Sequence, residues 1–219
     1  MSRRAIAYID GYNLYYGLLR GTPYKWLDLW SFAKALLLPD IDLIAVKYFT
    51  APIRTYPYDL PASDRQKIYL QAVAAMGNVE VIHGFYSKNK ALAPFADPQC
   101  SSCNVTQDGF VPIVKLEEKR SDVNLAVSLV SDAALGKADC FAVITGDSDQ
   151  VGAIECVRYL FKKQTVVFNP HSAESRHLKI AASYYKNIPR DLPARCQLPE
   201  AIPYGRRGNR FIRRPDAWK

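Results

Sequence analysis

The stretch "VITGDSDQV", Val143–Val151, ends an apolar run with two acids, Asp147 and Asp149, on either side of Ser148. Residues two apart in an extended turn point the same way. Carboxylates a few ångström apart repel where the dielectric is low, so either one is protonated or a cation holds both. Mg²⁺ and Mn²⁺ take such oxygen ligands, usually one or two carboxylates plus water. Asp149 also reads as a plain cap for a helix starting near Gln150. Another acid, Asp10, ends the first apolar run in "YIDGYN", where Gly11 allows a sharp turn and Asn13 brings an amide to the same place. An Asp–Gly turn with no further role is the competing reading. Asp122 opens the amphipathic segment "SDVNLAVSLVSDAAL", and first helical turns favour acids in any case. Gathered into one pocket, Asp10, Asp122, Asp147 and Asp149 can hold one or two divalent ions. Such a pocket polarises a phosphodiester and lowers the pKa of an attacking water. Asn13, Thr145 and Ser148 are neutral groups able to orient water or phosphate. Lys119 and Arg120, just before Asp122, can receive a phosphate or belong to a solvated mixed-charge face.

Acids this far apart in the chain meet only if the fold carries them to one edge. "RRAIAYID", "DLIAVKYFTA", "VEVIHGFYS", "CFAVIT" and "QTVVFN" read as strands. Helices are expected over "GYNLYYGLLRG", closed by Gly21, and over "LWSFAKALLL", capped by Asp28. Others are expected over "DRQKIYLQAVAAM" (capped by Ser63, ended by Gly77), "SDVNLAVSLVSDAAL" (capped by Ser121, ended by Gly136), "QVGAIECVRYLF" and "SRHLKIAASYY". Strands that are apolar throughout, alternating with helices, imply a mostly parallel sheet covered on both faces. Ligands of such sheets bind outside the carboxyl ends of the strands, where the winding reverses. Residues 1–190 read as one domain, interrupted near residues 86–112 by an inserted hairpin, with residues 191–219 as a tail. "FVPIVKLE" is the expected return strand of that hairpin.

The chain has 219 residues, about half of them apolar, enough for a sizeable core. No run of apolar residues is long enough to cross a bilayer, and the start "MSRRAIAYIDGYN" has no signal-peptide core. The expectation is a cytoplasmic protein without a membrane partner. Its five cysteines are an odd count thinly spread, which argues against a disulfide framework. Cys100 and Cys103 have the spacing of a zinc half-site. His83 and Cys196 are candidate further ligands, but the ligand count falls short, so a reduced, metal-free pair is favoured over Zn²⁺. The formal net charge is +8, of which +5 falls between Arg195 and Lys219. There Arg206, Arg207, Arg210, Arg213 and Arg214 alternate with Tyr204, Phe211 and Trp218. Arginine grips phosphate and aromatics stack bases, so the tail suits RNA. The same aromatics also suit anchoring on the core or on a sister subunit in a homodimer. Tyr12, Tyr15 and Tyr16 can stack a base near Asp10, although core packing is expected for at least two of them.

"AYIDGYNLYYGL", "EEKRSDVNLAVSLVSDAAL" and "ITGDSDQVGAIECVRYLF", in this order, resemble the NYN domain family of PIN-like nucleases in its LabA-like branch. The resemblance runs from about Arg4 to about Ile188, and "QLPEAI" and "FIRRPDAW" resemble that branch's tail. It implies an α/β, PIN-like (Rossmannoid) three-layer sandwich and a Mg²⁺- or Mn²⁺-dependent ribonuclease site acting on RNA, single-stranded by expectation. The family's acids fall on Asp10, Asp122, Asp147 and Asp149, its asparagine on Asn13. Ser183 stands where relatives often carry a further acid, and Gln150 where they commonly carry an apolar residue. Two other readings fit the residues. One is an RNA-binding or scaffold protein that retains the pocket without turnover. The other is a phosphatase using Asp147 as nucleophile and Asp149 as acid.

Overall fold

Strands with no polar residue to show to water must be covered on both faces, and the most apolar of these runs lies at the centre of the sheet. The computed structural model describes residues 3–53, 60–94, 109–205 and 209–219. β6 (Cys140–Ile144) is buried along its whole length, beside β1 (Arg3–Asp10). With β2 (Ile41–Thr50), β3 (Glu80–His83), β7 (Gln164–Asn169) and β8 (Tyr184–Asn187) they form a sheet ordered β3-β2-β1-β6-β7-β8. Every neighbouring pair in it is parallel. The chain winds outward in one direction as far as β3, then returns to start β6 on the other side of β1. The β1/β6 seam is therefore the place where a crevice opens at the carboxyl ends.

Alternate residues of β1 enter two separate apolar layers. Ala5, Ala7 and Ile9 pack with Phe32 of α2 (Leu29–Leu36) and Ala72 and Val73 of α3 (Leu60–Met76). Ile6 and Tyr8 pack with Leu125 and Leu129 of α4 (Ser121–Ala134), Ile154 of α5 (Val151–Glu155) and Leu178 of α6 (Arg176–Ala181). The result is the expected helix–sheet–helix sandwich.

Several boundaries differ from the sequence reading. The expected third strand breaks at buried Gly84: β3 stays in the sheet, while β4 (Phe85–Pro94) leaves it. β4 pairs antiparallel with β5 (Phe110–Lys119) as a separate two-stranded arm. Cys100 and Cys103 lie outside the described residues. Ser63 is not a cap, because α3 begins earlier and the Ser63 hydroxyl donates instead to the Ile53 carbonyl at 3.3 Å. Ser121 is the first residue of α4, its hydroxyl given to Glu118, and Arg120 precedes it with a left-handed backbone. The last expected helix stops at Ala181, and Tyr184–Asn187 is an edge strand paired with β7. Asp28 does cap α2, accepting from the amides of Trp30 and Ser31.

Past Ile188 the chain folds back on the α3 layer. A hairpin of β9 (Ala201–Tyr204) and β10 (Arg210–Arg213) buries Ile202 and Ile212. Trp218 is buried against Trp26 and Tyr69, with ring centroids 6.4 and 6.2 Å away. Among the described residues no helix is long and apolar enough to cross a membrane.

Candidate active site

Asp10 is the last residue of β1, and Thr145 and Asp147 follow β6, so the two central strands deliver both across the seam. Asp10 is 2 % exposed, which demands donors for its charge. Its Oδ1 accepts from the Asn13 amide at 2.9 Å. Its Oδ2 accepts from Asn13 Nδ2 at 2.7 Å and from the Thr145 hydroxyl at 2.9 Å. The Thr145 hydroxyl in turn accepts from the Asp147 amide at 3.1 Å. Asp147 Oδ1 accepts from the Asp149 amide at 3.0 Å, which folds the loop into a single 3₁₀ turn, Ser148–Gln150.

Asn13 must turn its NH₂ toward the Asp10 carboxylate, so its Oδ1 faces the other way. There it takes the Gly146 amide at 3.3 Å and His171 Nε2 at 2.9 Å. His171 Nε2 therefore carries a hydrogen. The ring sits against Gly146, where a Cβ would also fall 2.8 Å from Asn169 Oδ1. Gly11 is equally constrained, since a Cβ there would lie 2.7 Å from the Phe49 carbonyl. These contacts make the loop a rigid cradle.

Asp122 arrives from the other helical layer, at the start of α4. Gln150, 1 % exposed, ties the loop to that helix by donating from Nε2 to the Asp122 carbonyl at 3.3 Å. Desolvation pushes the Asp122 carboxyl up to about 6, and the charges of Asp10, Asp147 and Asp149 push in the same direction. Burial likewise raises Asp10 against the opposing effect of its donors, with the Asp147 charge adding to the rise. Glu118 is raised by burial and by Asp122. Electrostatically, then, acids from three chain segments act on one another.

Of the acids, Asp122, Asp147 and Glu118 line a cleft of about 1040 Å³, together with Asn13 and Gly146. Its walls are aromatic. Tyr12 and Tyr16 stand 4.4 Å apart between ring centroids, and Tyr15 meets Tyr16 edge-on at 5.1 Å. All three tyrosines are exposed, contrary to the expectation of core packing. Spaced i, i+3 and i+4 along α1 (Gly11–Leu14) and the π-helical turn Tyr15–Leu19, they share one face, which lines the cleft, while Leu14 and Leu18 are buried. Tyr48, Tyr69, Tyr86 and Trp218 complete the walls, and Lys25 and Arg65 are also part of them.

The other residues singled out in the sequence are placed as follows. Ser148 and Asp149 are exposed on the loop. Lys119 pairs with Glu117 at 2.9 Å, and the Arg120 guanidinium lies 4.9 Å from the Phe85 ring centre. Arg210 and Arg213 are exposed on the tail hairpin. Arg214 donates to the Pro23 carbonyl at 2.9 Å and to the Trp218 carbonyl, fastening the tail. Arg206 and Arg207 lie outside the described residues. Ser183 sits by Thr165 at the amino end of β7, donating its amide to the Thr165 hydroxyl at 3.1 Å. That is the edge of the sheet opposite the acids, so the missing acid at this position takes nothing from the cluster. His171, Gln150, Glu118, Lys25 and Arg65 were not assigned to the site from sequence. Gln150 carried a signal, standing where the resembling family commonly has an apolar residue.

An all-carboxylate set around hydroxyl and amide donors is the chemistry of a hard, oxygen-loving dication. Among the described residues no three His, Cys, Asp or Glu side chains stand close enough to enclose a bare ion. In donor chemistry the set would suit a Mg²⁺ or Mn²⁺ that keeps much of its water, since such ions need only one or two carboxylates.

Fold and site together define a doubly wound α/β domain with an acidic centre at its switch point. A family model, the NYN domain, matches residues 4–189, and the chain belongs to that family. The chain is 32 % identical over 238 residues to 6-hydroxy-3-succinoylpyridine 3-monooxygenase HspA of Pseudomonas putida (strain DSM 28022 / S16). That match covers 98 % of this chain and 75 % of the relative. A protein of unknown function from Vibrio parahaemolyticus, VPA0982, has a similar crystal structure, with TM-score 0.51 and 17 % identity. The match spans 90 % of this chain and 98 % of that one.

Proposed function

We propose that this chain is a PIN-like nuclease of the LabA-like kind, hydrolysing phosphodiester bonds within single-stranded RNA. The observation that supports the reading most is electrostatic: the charges of Asp10, Asp147 and Asp149 all act on Asp122, which with Asp147 lines an aromatic cleft. Asp10, Asp122, Asp147 and Asp149 are the residues that would hold Mg²⁺ or Mn²⁺. The ion supplies charge neutralisation at the scissile phosphate and acidifies water. The protein's own part is positioning. Asn13 and Thr145 fix both oxygens of Asp10, and His171 and Gly146 fix Asn13. Gln150 fixes the start of α4 against the Asp147 loop. Tyr12 and Tyr16 offer ring faces for unpaired bases.

The test is cleavage of end-labelled single-stranded RNA with Mn²⁺, beside Asp10→Asn and Asp147→Asn variants. The parent is expected to cut and each variant to lose at least about a hundredfold in rate. RNA binding that persists in chelator, with no cutting on addition of Mn²⁺, would instead indicate a binding or scaffold role. A second reading, hydroxylation of a small aromatic acid, draws on the likeness to HspA and on an aromatic cleft that contains two cations. Substrate-dependent oxygen uptake with a pyridine acid and a reductant, and no RNA cleavage, would favour it.

A further inference from the structure

Lys25 and Arg65 come from distant parts of the chain: Lys25 from the loop after the π-helical turn, Arg65 from α3. Both line the same cleft as the acids. Neither forms an ion pair with a carboxylate among the described residues, unlike other cations beside buried surface here. Lys47, for example, is paired with Asp132 at 2.6 Å and Lys137 with Asp132 at 2.8 Å. Lys25 uses one donor on the Thr22 carbonyl. Arg65 donates no side-chain hydrogen bond among the described residues, so its planar fork is uncommitted. Burial, and then the charge of Arg65, depress the Lys25 pKa. Like charges drawn together in a partly desolvated cleft are unfavourable until an anion joins them.

The aromatic walls of the cleft indicate what carries the anion. Gln66, next to Arg65 on α3, accepts from the Ile53 amide at 2.7 Å and donates to the Ala51 carbonyl at 3.0 Å. Those bonds hold the strand-end segment 51–53 against α3. Tyr69 donates to the Leu27 carbonyl at 2.9 Å, which fixes its ring beside Trp218. A flat ring can therefore lie on fixed aromatic faces while an attached anion reaches the cations.

We propose that Lys25 and Arg65 form a phosphate subsite, separate from the acids, that grips a backbone or terminal phosphate of a bound RNA strand. The proposal rests on the RNA reading for the identity of the anion. Arg65 supplies a bidentate fork and Lys25 a point charge, the pairing commonly used for phosphate. No bond is made or broken at this subsite. It sets the register in which the strand crosses the acids.

Binding in chelator tests it without reference to catalysis. Adenosine 5′-monophosphate and adenosine are titrated into the full-length parent and into Lys25→Gln, Arg65→Gln and Arg65→Lys. The parent should hold the monophosphate about tenfold tighter than the nucleoside, the worth of one charge-assisted hydrogen bond. Both Gln variants should lose that preference and keep their nucleoside affinity, while Arg65→Lys keeps part of it. Unchanged nucleoside affinity also shows that the variants are folded. Equal binding of nucleotide and nucleoside by the parent, or a preference that survives both Gln variants, overturns the subsite. A pyridine acid that binds tighter than the monophosphate through the same two residues overturns its assignment to phosphate. If the preference is present and lost as described but no RNA is cut, the subsite stands and the nuclease reading falls.

Discussion

Asp122 shows how a single carboxyl reports on the whole site. Its folded pKa of about 6 lies above the ordinary aspartate value, with desolvation first and three neighbouring carboxylates adding to it. Between the two values the folded chain binds more protons than the unfolded chain, so stability falls as pH rises through that window. Above it, the ionised Asp122 is a burden on the metal-free fold. Asp122→Asn should therefore melt higher than the parent at pH 7 in chelator, and the gap should close as the pH is lowered toward 4. Thermal melts at matched ionic strength check this, and a variant that melts lower at pH 7 would contradict it. The acids were legible in the sequence because each ends an apolar run or opens a helix, where a charge stands out. His171 was not legible. Its role depends on Asn13, far away in the chain, turning its amide toward Asp10, and no spacing rule encodes that.

At the scale of elements, the layer of α4 is held to the sheet by more than apolar packing. Asp132 of that helix is buried and accepts from Tyr8 of β1 at 2.7 Å, while Lys47 of β2 lies 2.6 Å away. Burial raises its carboxyl, but hydrogen bonds from Lys137, Lys47 and Tyr8 outweigh this and leave it below the ordinary range. A depressed carboxyl stabilises the fold above its unfolded pKa and loses that contribution as pH falls through the folded value. Asp132→Asn leaves the largely buried Lys47 charge with only the longer contact to Glu80, 3.9 Å away, and should destabilise the protein by about 3 kcal/mol at pH 7. The loss should shrink in strong acid; urea denaturation at pH 7 and pH 3 reads both. The same scale separates what sequence could and could not give. The runs of buried apolar residues and the glycine stops marked sheet and helices well. The division of "VEVIHGFYS" into β3 and β4 was hidden because the apolar pattern continues across Gly84 while the strand partner changes. β8 was hidden because an edge strand of polar and aromatic residues carries no continuous apolar run.

At the scale of the whole molecule, the chain beyond Ile188 takes the anchoring role, one of the two that its sequence allowed. Its arginines suggested an arm for RNA and its aromatics an anchor on the core; Ile212 and Trp218 lie in the same apolar layer as β1, and Trp218 forms a wall of the cleft. The sequence offered docking as one reading but not its place, which depends on Trp26 and Tyr69 leaving room for an indole. If the tail merely trailed in solvent, Trp218→Ala would leave stability untouched and change only affinity for polyanions. Docked as observed, the indole is 9 % exposed, and its removal should lower stability by roughly 3 kcal/mol. It should also weaken adenosine binding, because the aromatic wall is removed. Trp218→Phe should recover much of both. Arg210→Gln together with Arg213→Gln, by contrast, removes only exposed charge. That pair should leave the melt unchanged and flatten the salt dependence of RNA affinity by about 0.7 in log–log slope for each phosphate no longer neutralised. Melting curves and RNA titrations across a salt series on the three variants separate docking from charge. A Trp218→Ala protein with the parent's melting curve would show that the tail is not a structural part of the domain.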